Sequence, residues 1–331
     1  MGQPASHDVA LADDAMTRPA HVTLVEVGPR DGFQIEKTFI PTDLKIGVID
    51  AISAAGVRRI EATAFVSPKV VPQLQDAAEV MRGITRRPGV AYAVLVPNRR
   101  GAERAVETRP DVLRVVIAAT DEYNRRNLGR SVDESFAGLE EILALARAEA
   151  VAVDVVFGLS FGCPLTGPVP EARVEHLARR AADMGIRAVA VADSYGFAHP
   201  RQVASLMARL RSALPGLALS LHLHDTRGLG LANVLAAMSE GIDAFEASLG
   251  GLGGAPNVEG ATGNISTEDV LHMCDTMGVA TGVDLEAFMA ASKQIAVCLG
   301  RELPSRVLAA GTRDALFRRI AGRTAADSAA T

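Results

Sequence analysis

The sequence predicts an α/β protein, a (β/α)8 TIM barrel with a C-terminal helical extension, and three observations point to it. From His21 onward, short apolar, β-branched runs alternate with longer helical patterns; the runs number eight, and the connections between them are short. The runs read as continuously apolar instead of alternating with period two, which is the pattern of parallel strands buried on both faces. Such regular alternation favours one closed barrel over two separate sheets. An open doubly wound sheet is the structural alternative, reached by a strand count that is off by one.

The strands are expected at about His21–Val27, Arg59–Ala64, Val90–Val96, Val112–Ala119, Ala152–Leu159, Ala188–Ala192, Ala218–His224 and Ala244–Leu249. Between them, helices are expected over Asp43–Ala55, Gln73–Arg82, Arg99–Glu107, Ser131–Ala150, Glu171–Met184, Pro200–Leu214 and Leu229–Glu240, several of them preceded by Ser, Thr or Pro. Thr267–Met277 reads as the eighth barrel helix, with Leu285–Leu299 and Thr312–Ile320 as helices beyond it. Residues 1–20 are expected to form a flexible tail, 21–280 the catalytic barrel, and 281–331 the helical extension and its tail.

Composition narrows the function classes. At 48% hydrophobic and 22% charged residues the chain can bury a sizeable core, and 331 residues accommodate a barrel of roughly 250 with appendages. A net charge of −5, without basic runs interleaved with aromatics, argues against a nucleic-acid partner. No apolar stretch approaches a membrane span. The first twenty residues carry Asp8, Asp13 and Asp14 but only Arg18 as a base, so they match neither a secretory signal nor a transit peptide, and a cytoplasmic protein is expected. Three scattered cysteines, Cys163, Cys274 and Cys298, suggest no disulfide framework or paired-cysteine metal site.

In a barrel the reactive groups gather at the carboxyl ends of the strands. Reading by that rule brings together Arg30 and Asp31 after the first strand, Glu61 in the second, Asp193 after the sixth, His222 and His224 in the seventh, and Asn264 after the eighth. Residues two apart on a strand share a face, so His222 and His224 can offer two imidazoles to one ion or form a satisfied polar cluster. Asp31, in Gly28-Pro29-Arg30-Asp31-Gly32, is either a third ligand or a turn-forming aspartate. Together with the Asn264 amide these groups would make a mixed N/O site suited to Mg²⁺ or Mn²⁺. Arg30 is either a surface ion pair or, at the mouth, a permanent cation that can stabilise an enolate. Glu61 and Asp193 must be paired or used, because an isolated buried charge is costly. The glycine-rich segment Leu249–Asn257 lacks the features of a phosphate loop or dinucleotide fingerprint and reads as a flexible lid that includes Gly253, Gly254 and Ala255.

Five ordered segments carry a resemblance: Val25–Gly32, Glu61–Lys69, Gly162-Cys163-Pro164, Leu221–Thr226 and Gly250–Gly254. Over residues 21 to about 300 the chain resembles the hydroxymethylglutaryl-CoA lyase family, within the wider group of metal-dependent barrel lyases and aldolases that includes isopropylmalate synthase. The resemblance implies that Asp31, His222, His224 and Asn264 ligate a divalent cation and that Arg30 stabilises the developing enolate. By the same resemblance Glu61, Asp193 and His222 are acid–base or orienting groups, and Gln34, Gly253, Gly254 and Ala255 lie along the substrate and lid. The implied reaction is retro-Claisen cleavage of a 3-hydroxyacyl-CoA to acetyl-CoA and a keto acid, by a homo-oligomer, a dimer, packed through its C-terminal helices.

One departure stands out. The family lyases carry cysteine after the paired glycines of the lid, whereas this chain has Ala255, which can neither donate nor accept a proton. Cys163 is the nearest substitute by motif, although a small buried hydrophobe is its simpler reading. The alternatives that follow are a lyase for a related substrate such as citramalyl-CoA, a Claisen-type synthase, or a non-catalytic barrel that binds CoA esters.

Overall fold

The computed structural model describes residues 18–254 and 263–329. Eight parallel strands close into a barrel in sequence order: β1 (Thr23–Glu26), β2 (Arg59–Ala64), β3 (Ala91–Leu95), β4 (Val112–Ala118), β5 (Ala152–Gly158), β6 (Ala188–Asp193), β7 (Ala218–Leu223) and β8 (Ala244–Ala247). Closure runs through β1 and β8, with Thr23 opposite Ala244 and Glu26 opposite Ala247. Around this sheet lie α1 (Thr42–Ala54), α2 (Ala77–Gly83), α3 (Arg99–Val106), α4 (Asp121–Leu128), α5 (Val132–Ala148), α6 (Glu171–Asp183), α7 (Pro200–Ala213), α8 (Gly230–Ser239) and α9 (Thr267–Thr276). After them come α10 (Leu285–Leu299), α11 (Arg306–Ala310) and α12 (Arg313–Ala329). Among the described residues no helix is long and apolar enough to cross a membrane.

The strands differ from the expected continuous apolar runs in one informative way. Leu113, Val115 and Ile117 of β4, Val153, Val155 and Phe157 of β5, and Leu219, Leu221 and Leu223 of β7 all join the main apolar core. Side chains alternate across a strand, so this set faces the surrounding helices. The intervening positions face the bore and include Arg114, Asp154, Ser220, His222 and Glu246, all buried. Inside the barrel the apolar packing reduces to a small cluster of Val156, Ala190 and Ala192, with Val116 against it. The bore is thus largely ionic, where many barrels fill it with branched aliphatics.

Two local elements depart from expectation. The helix expected over Gln73–Arg82 is split: Pro72–Leu74 form one tight turn, and α2 begins only at Ala77. Between them Asp76 accepts hydrogen bonds from Lys45 Nζ at 2.7 Å and Thr42 Oγ1 at 2.8 Å. The polar α4, without an apolar stripe, was not expected. Asn124 fixes it: its Oδ1 accepts from the Ala118 amide, and its Nδ2 donates to Arg130 O, Ser131 O and Ser135 Oγ. Next, α5 begins with a reciprocal cap in which Ser131 and Glu134 each accept the other's backbone amide.

Glu26 ties the mouth together where the barrel closes. Its Oε1 accepts the amides of Gly28 at 2.7 Å and Leu249 at 2.8 Å, and Thr267 Oγ1 lies 2.6 Å from its Oε2. Full burial pushes its pKa from 4.5 to about 8, against the pull of those three donors. A raised pKa means that the folded state holds the proton more tightly than the unfolded chain. The contribution is therefore full below about pH 4.5 and is lost as pH rises through 8. Glu26→Gln reproduces the protonated pattern, with an amide oxygen for the two N–H groups and an amide nitrogen for Thr267. Urea unfolding at pH 5, 7 and 8.5 should show the variant gaining on the parent as pH rises; parallel curves would contradict the assignment.

Candidate active site and metal centre

The chain leaves β1 in a single wide helical turn, Gly28–Gly32, with Asp31 N bonded to Val27 O at 2.6 Å, and this turn presents Arg30 and Asp31 over the mouth. On the far side β7 ends at Leu223, one residue earlier than expected. His224 instead forms an isolated antiparallel bridge with Asn264, and the Ile265 amide bonds to Leu223 O at 3.0 Å. That bridge sets the two residues side by side although forty positions separate them in sequence.

Asp31, His222 and His224 converge so that one ligand atom from each lies within 4.8 Å of the others. The two imidazoles meet Nε2 to Nε2 at 3.2 Å, an arrangement in which two bare lone pairs would repel unless a proton or cation lay between them. Asn264 donates Nδ2 to Asp31 Oδ2 at 2.8 Å and to Leu252 O at 3.0 Å, while its Oδ1 is buried without a hydrogen-bond partner. An orphaned buried acceptor costs about 1–3 kcal/mol, so an electrophile nearby would account for it. Carboxylate oxygen, two imidazole nitrogens and an amide oxygen form a hard, mixed donor set of the kind that suits a six-coordinate divalent cation. The donor set therefore fits such an ion.

Electrostatics agree with the geometry. Burial works to raise the Asp31 pKa, but Arg30, the two imidazoles and the Asn264 amide outweigh it and hold the carboxyl at about 2. Burial and the neighbouring His222 depress His224 to about 3, which keeps it neutral and able to ligate. His222 lies above its ordinary value, because the Glu246 carboxylate outweighs the cost of burial.

Arg30 is 7% exposed and pairs with Glu61 through Nε–Oε1 at 2.8 Å and Nη2–Oε2 at 2.9 Å; its Nη1 also contacts Asp31. Glu61 is itself fully buried and also within 3.5 Å of Arg114 Nη1. Gln34 donates to Asp31 Oδ1 at 2.8 Å, so it props the carboxylate from the side. Asp193 stands apart from this cluster: its oxygens accept the amides of Phe197 at 2.8 Å and Ala198 at 2.9 Å, fixing the loop after β6. Burial raises its pKa, and its charge is close enough to be felt by His222. Gly253 has φ +110°, and a Cβ there would sit 2.3 Å from Asn264 Nδ2, so only glycine lets this segment pass the cluster. Gly254 follows with φ +152°, and Ala255 lies outside the described residues.

Two participants were missed in the sequence. Arg114 and Glu246 each interrupt an apolar strand, the same signal that singled out Glu61, and each is at most 2% exposed. Cys163 is the small buried residue expected and packs in the main apolar core, with polar contacts besides. The thiol is buried yet accepts from Thr120 Oγ1 at 3.2 Å and the Leu165 amide at 3.4 Å. Burial raises its pKa, but those donors together with Thr166 lower it further, so the net shift is downward.

The family model described as HMGL-like matches residues 21–295. The chain is 39% identical over 303 residues to the mitochondrial hydroxymethylglutaryl-CoA lyase of Rattus norvegicus, covering 92% of this chain and 93% of that one. It is 40% identical to a hydroxymethylglutaryl-CoA lyase of Bacillus subtilis (strain 168), over 88% and 98%. Among solved structures, the lyase from Pseudomonas aeruginosa superposes with a TM-score of 0.87 at 40% identity, covering 92% of this chain and all of that one. An HMG-CoA lyase from Acenitobacter baumannii, in complex with coenzyme A and 3-methylmalate, does so with 0.85 at 42% identity over 89% and 96%. With a closed barrel, a convergent donor cluster at its mouth and likeness along nearly its whole length, the chain belongs to the HMGL-like family.

Proposed function

We propose that this protein is a divalent-metal-dependent carbon–carbon lyase that cleaves a 3-hydroxyacyl-CoA by a retro-Claisen reaction into acetyl-CoA and a keto acid, a reading supported by relatives that are named hydroxymethylglutaryl-CoA lyases. The observation that carries the reading is the meeting of Asp31, His222, His224 and the unpartnered Asn264 oxygen beside the buried Arg30. The coenzyme A bound by the Acenitobacter baumannii lyase supports the thioester half of it.

A Mg²⁺ or Mn²⁺ ion held by these four residues would supply Lewis-acid polarisation of the substrate's oxygens. The remaining work falls to the chain. Glu61, with both oxygens beside arginine nitrogens, orients Arg30 and is poorly placed to take a proton. Asp193, whose oxygens each accept one backbone amide and so each keep a lone pair, is left as the base for the 3-hydroxyl proton, near enough to His222 for the two charges to interact. As that proton leaves, the carbonyl forms at carbon 3, the bond between carbons 2 and 3 breaks, and its electron pair passes to the thioester as an enolate. The Arg30 guanidinium remains charged at any working pH and steadies the enolate oxygen. The proton that Asp193 took from the 3-hydroxyl balances the one that carbon 2 gains to complete acetyl-CoA, and Ala255 has none to give.

The same reading includes a cytoplasmic enzyme. It also includes a homodimer packed through the helices after the barrel, where Val297 of α10 and Leu316 and Phe317 of α12 are exposed apolar residues.

A panel of 3-hydroxyacyl-CoA thioesters, assayed with and without chelator, should release acetyl-CoA from at least one member only when Mg²⁺ or Mn²⁺ is restored. Silence across the panel would count against the lyase. Arg30→Met should lower kcat by about 10²–10³, and a parental kcat would remove Arg30 from the chemistry. His224→Ala should weaken Mn²⁺ binding, measured by equilibrium dialysis, by about tenfold or more. Ala255→Cys should raise the rate on hydroxymethylglutaryl-CoA; an unchanged or lower rate favours a related substrate such as citramalyl-CoA.

A further inference from the structure

The metal-binding reading above leaves a buried row of charge beneath it without a task. Starting at the mouth, Arg30 pairs with Glu61, Glu61 Oε2 lies 3.5 Å from Arg114 Nη1, and Arg114 Nη2 donates to Glu246 Oε1 at 2.5 Å. Ser220 Oγ adds a contact of 3.3 Å to the same Glu246 oxygen, and Glu246 Oε2 lies 3.2 Å from His222 Nδ1. The four charged members are 7%, 0%, 2% and 1% exposed, so their charges alternate in a space nearly free of water. A row of this kind is seldom the most stable filling, because apolar residues of similar volume commonly match or exceed a buried ionic network.

We propose that Glu246 and Arg114 are positioning residues that set the metal centre and the catalytic arginine in register. Glu246 takes the Nδ1–H of His222, which fixes the ring so that Nε2 is the free nitrogen facing His224 and Asp31. Arg114 cannot turn toward one carboxylate without loosening the other, so it holds Glu246 and Glu61 at a set separation. Through Glu61 the same constraint reaches Arg30. Neither Arg114 nor Glu246 is placed to touch substrate, and both act through the residues they hold.

The inference rests on the metal-binding reading, and metal affinity tests the two separately. Chelator-stripped parent, Glu246→Gln, Arg114→Lys and Ser220→Ala are titrated with Mn²⁺, with free ion read by electron paramagnetic resonance and the thermal midpoint of each metal-free protein recorded. Glu246→Gln keeps the shape but puts an amide nitrogen against either Arg114 or His222, and should raise the Mn²⁺ Kd about 10–100-fold. Arg114→Lys retains the charge without the fork that spans two carboxylates. It should raise the Kd by about tenfold and lower kcat at saturating Mn²⁺ while KM stays near parental. Should Glu246→Gln fail to fold, Arg114→Lys and Ser220→Ala carry the test. A parent that binds no Mn²⁺ overturns the metal reading and the inference with it. A parent that binds, with folded variants that match its Kd within about twofold whatever their thermal midpoints, overturns the inference alone.

Discussion

Charge enclosed in the bore of a closed sheet is the constraint on which the rest of this molecule depends. Once the β1–β8 seam closes, Arg114, Glu61, Glu246 and His222 have lost their water and can be satisfied only by protein groups, chiefly one another and Arg30. Each of β2, β4, β7 and β8 contributes one of these four at a fixed height, so the pairing is set by sheet register. The mouth above inherits that order: Arg30 is steered by Glu61, and His222 by Glu246. The apolar core between sheet and helices supplies stability, while the ionic bore supplies geometry.

This division explains why so much of the fold was legible. All eight strands and most of the helices around them announce themselves through the outward faces, where Leu113, Val115, Phe157, Leu221 and their neighbours make dense aliphatic and aromatic runs. Elements that lack that signal were harder to read. The polar α4 is held by the hydrogen bonds of one asparagine, and the break before α2 depends on Asp76 meeting Lys45 and Thr42, partners more than thirty residues away. Neither contact is written in local periodicity.

The site divides in a similar way. Arg30, Asp31, Glu61, His222, His224 and Asn264 could be assembled from strand ends, because strand ends converge in any barrel. Gln34, expected along the substrate and lid through the resemblance, props the Asp31 carboxylate instead, a contact that the sequence did not announce. Asp193 was assembled by the same rule and does end β6, but the rule did not show that backbone amides of its own loop engage both oxygens. Arg114 and Glu246 were passed over because they sit deep in their strands, where the convergence rule does not look; the cost of burying a lone charge marks them just as clearly. Cys163 shows the converse, a residue type usually inert when buried but here surrounded by donors.

The close approach at Gly253 has an entropic side. A Cβ at Gly254 would lie 3.6 Å from Gly263 Cα, and one at Gly263 would lie 2.2 Å from Gly253 O, so the chain departs from and returns to nearly the same point next to Asn264. Whatever joins two such anchored points adds to the closure entropy only with the logarithm of its length. The two anchors, Gly253 and Gly263, therefore hold the Asn264 amide beside Asp31 by their own close approach, and the donor cluster depends on those two glycines directly.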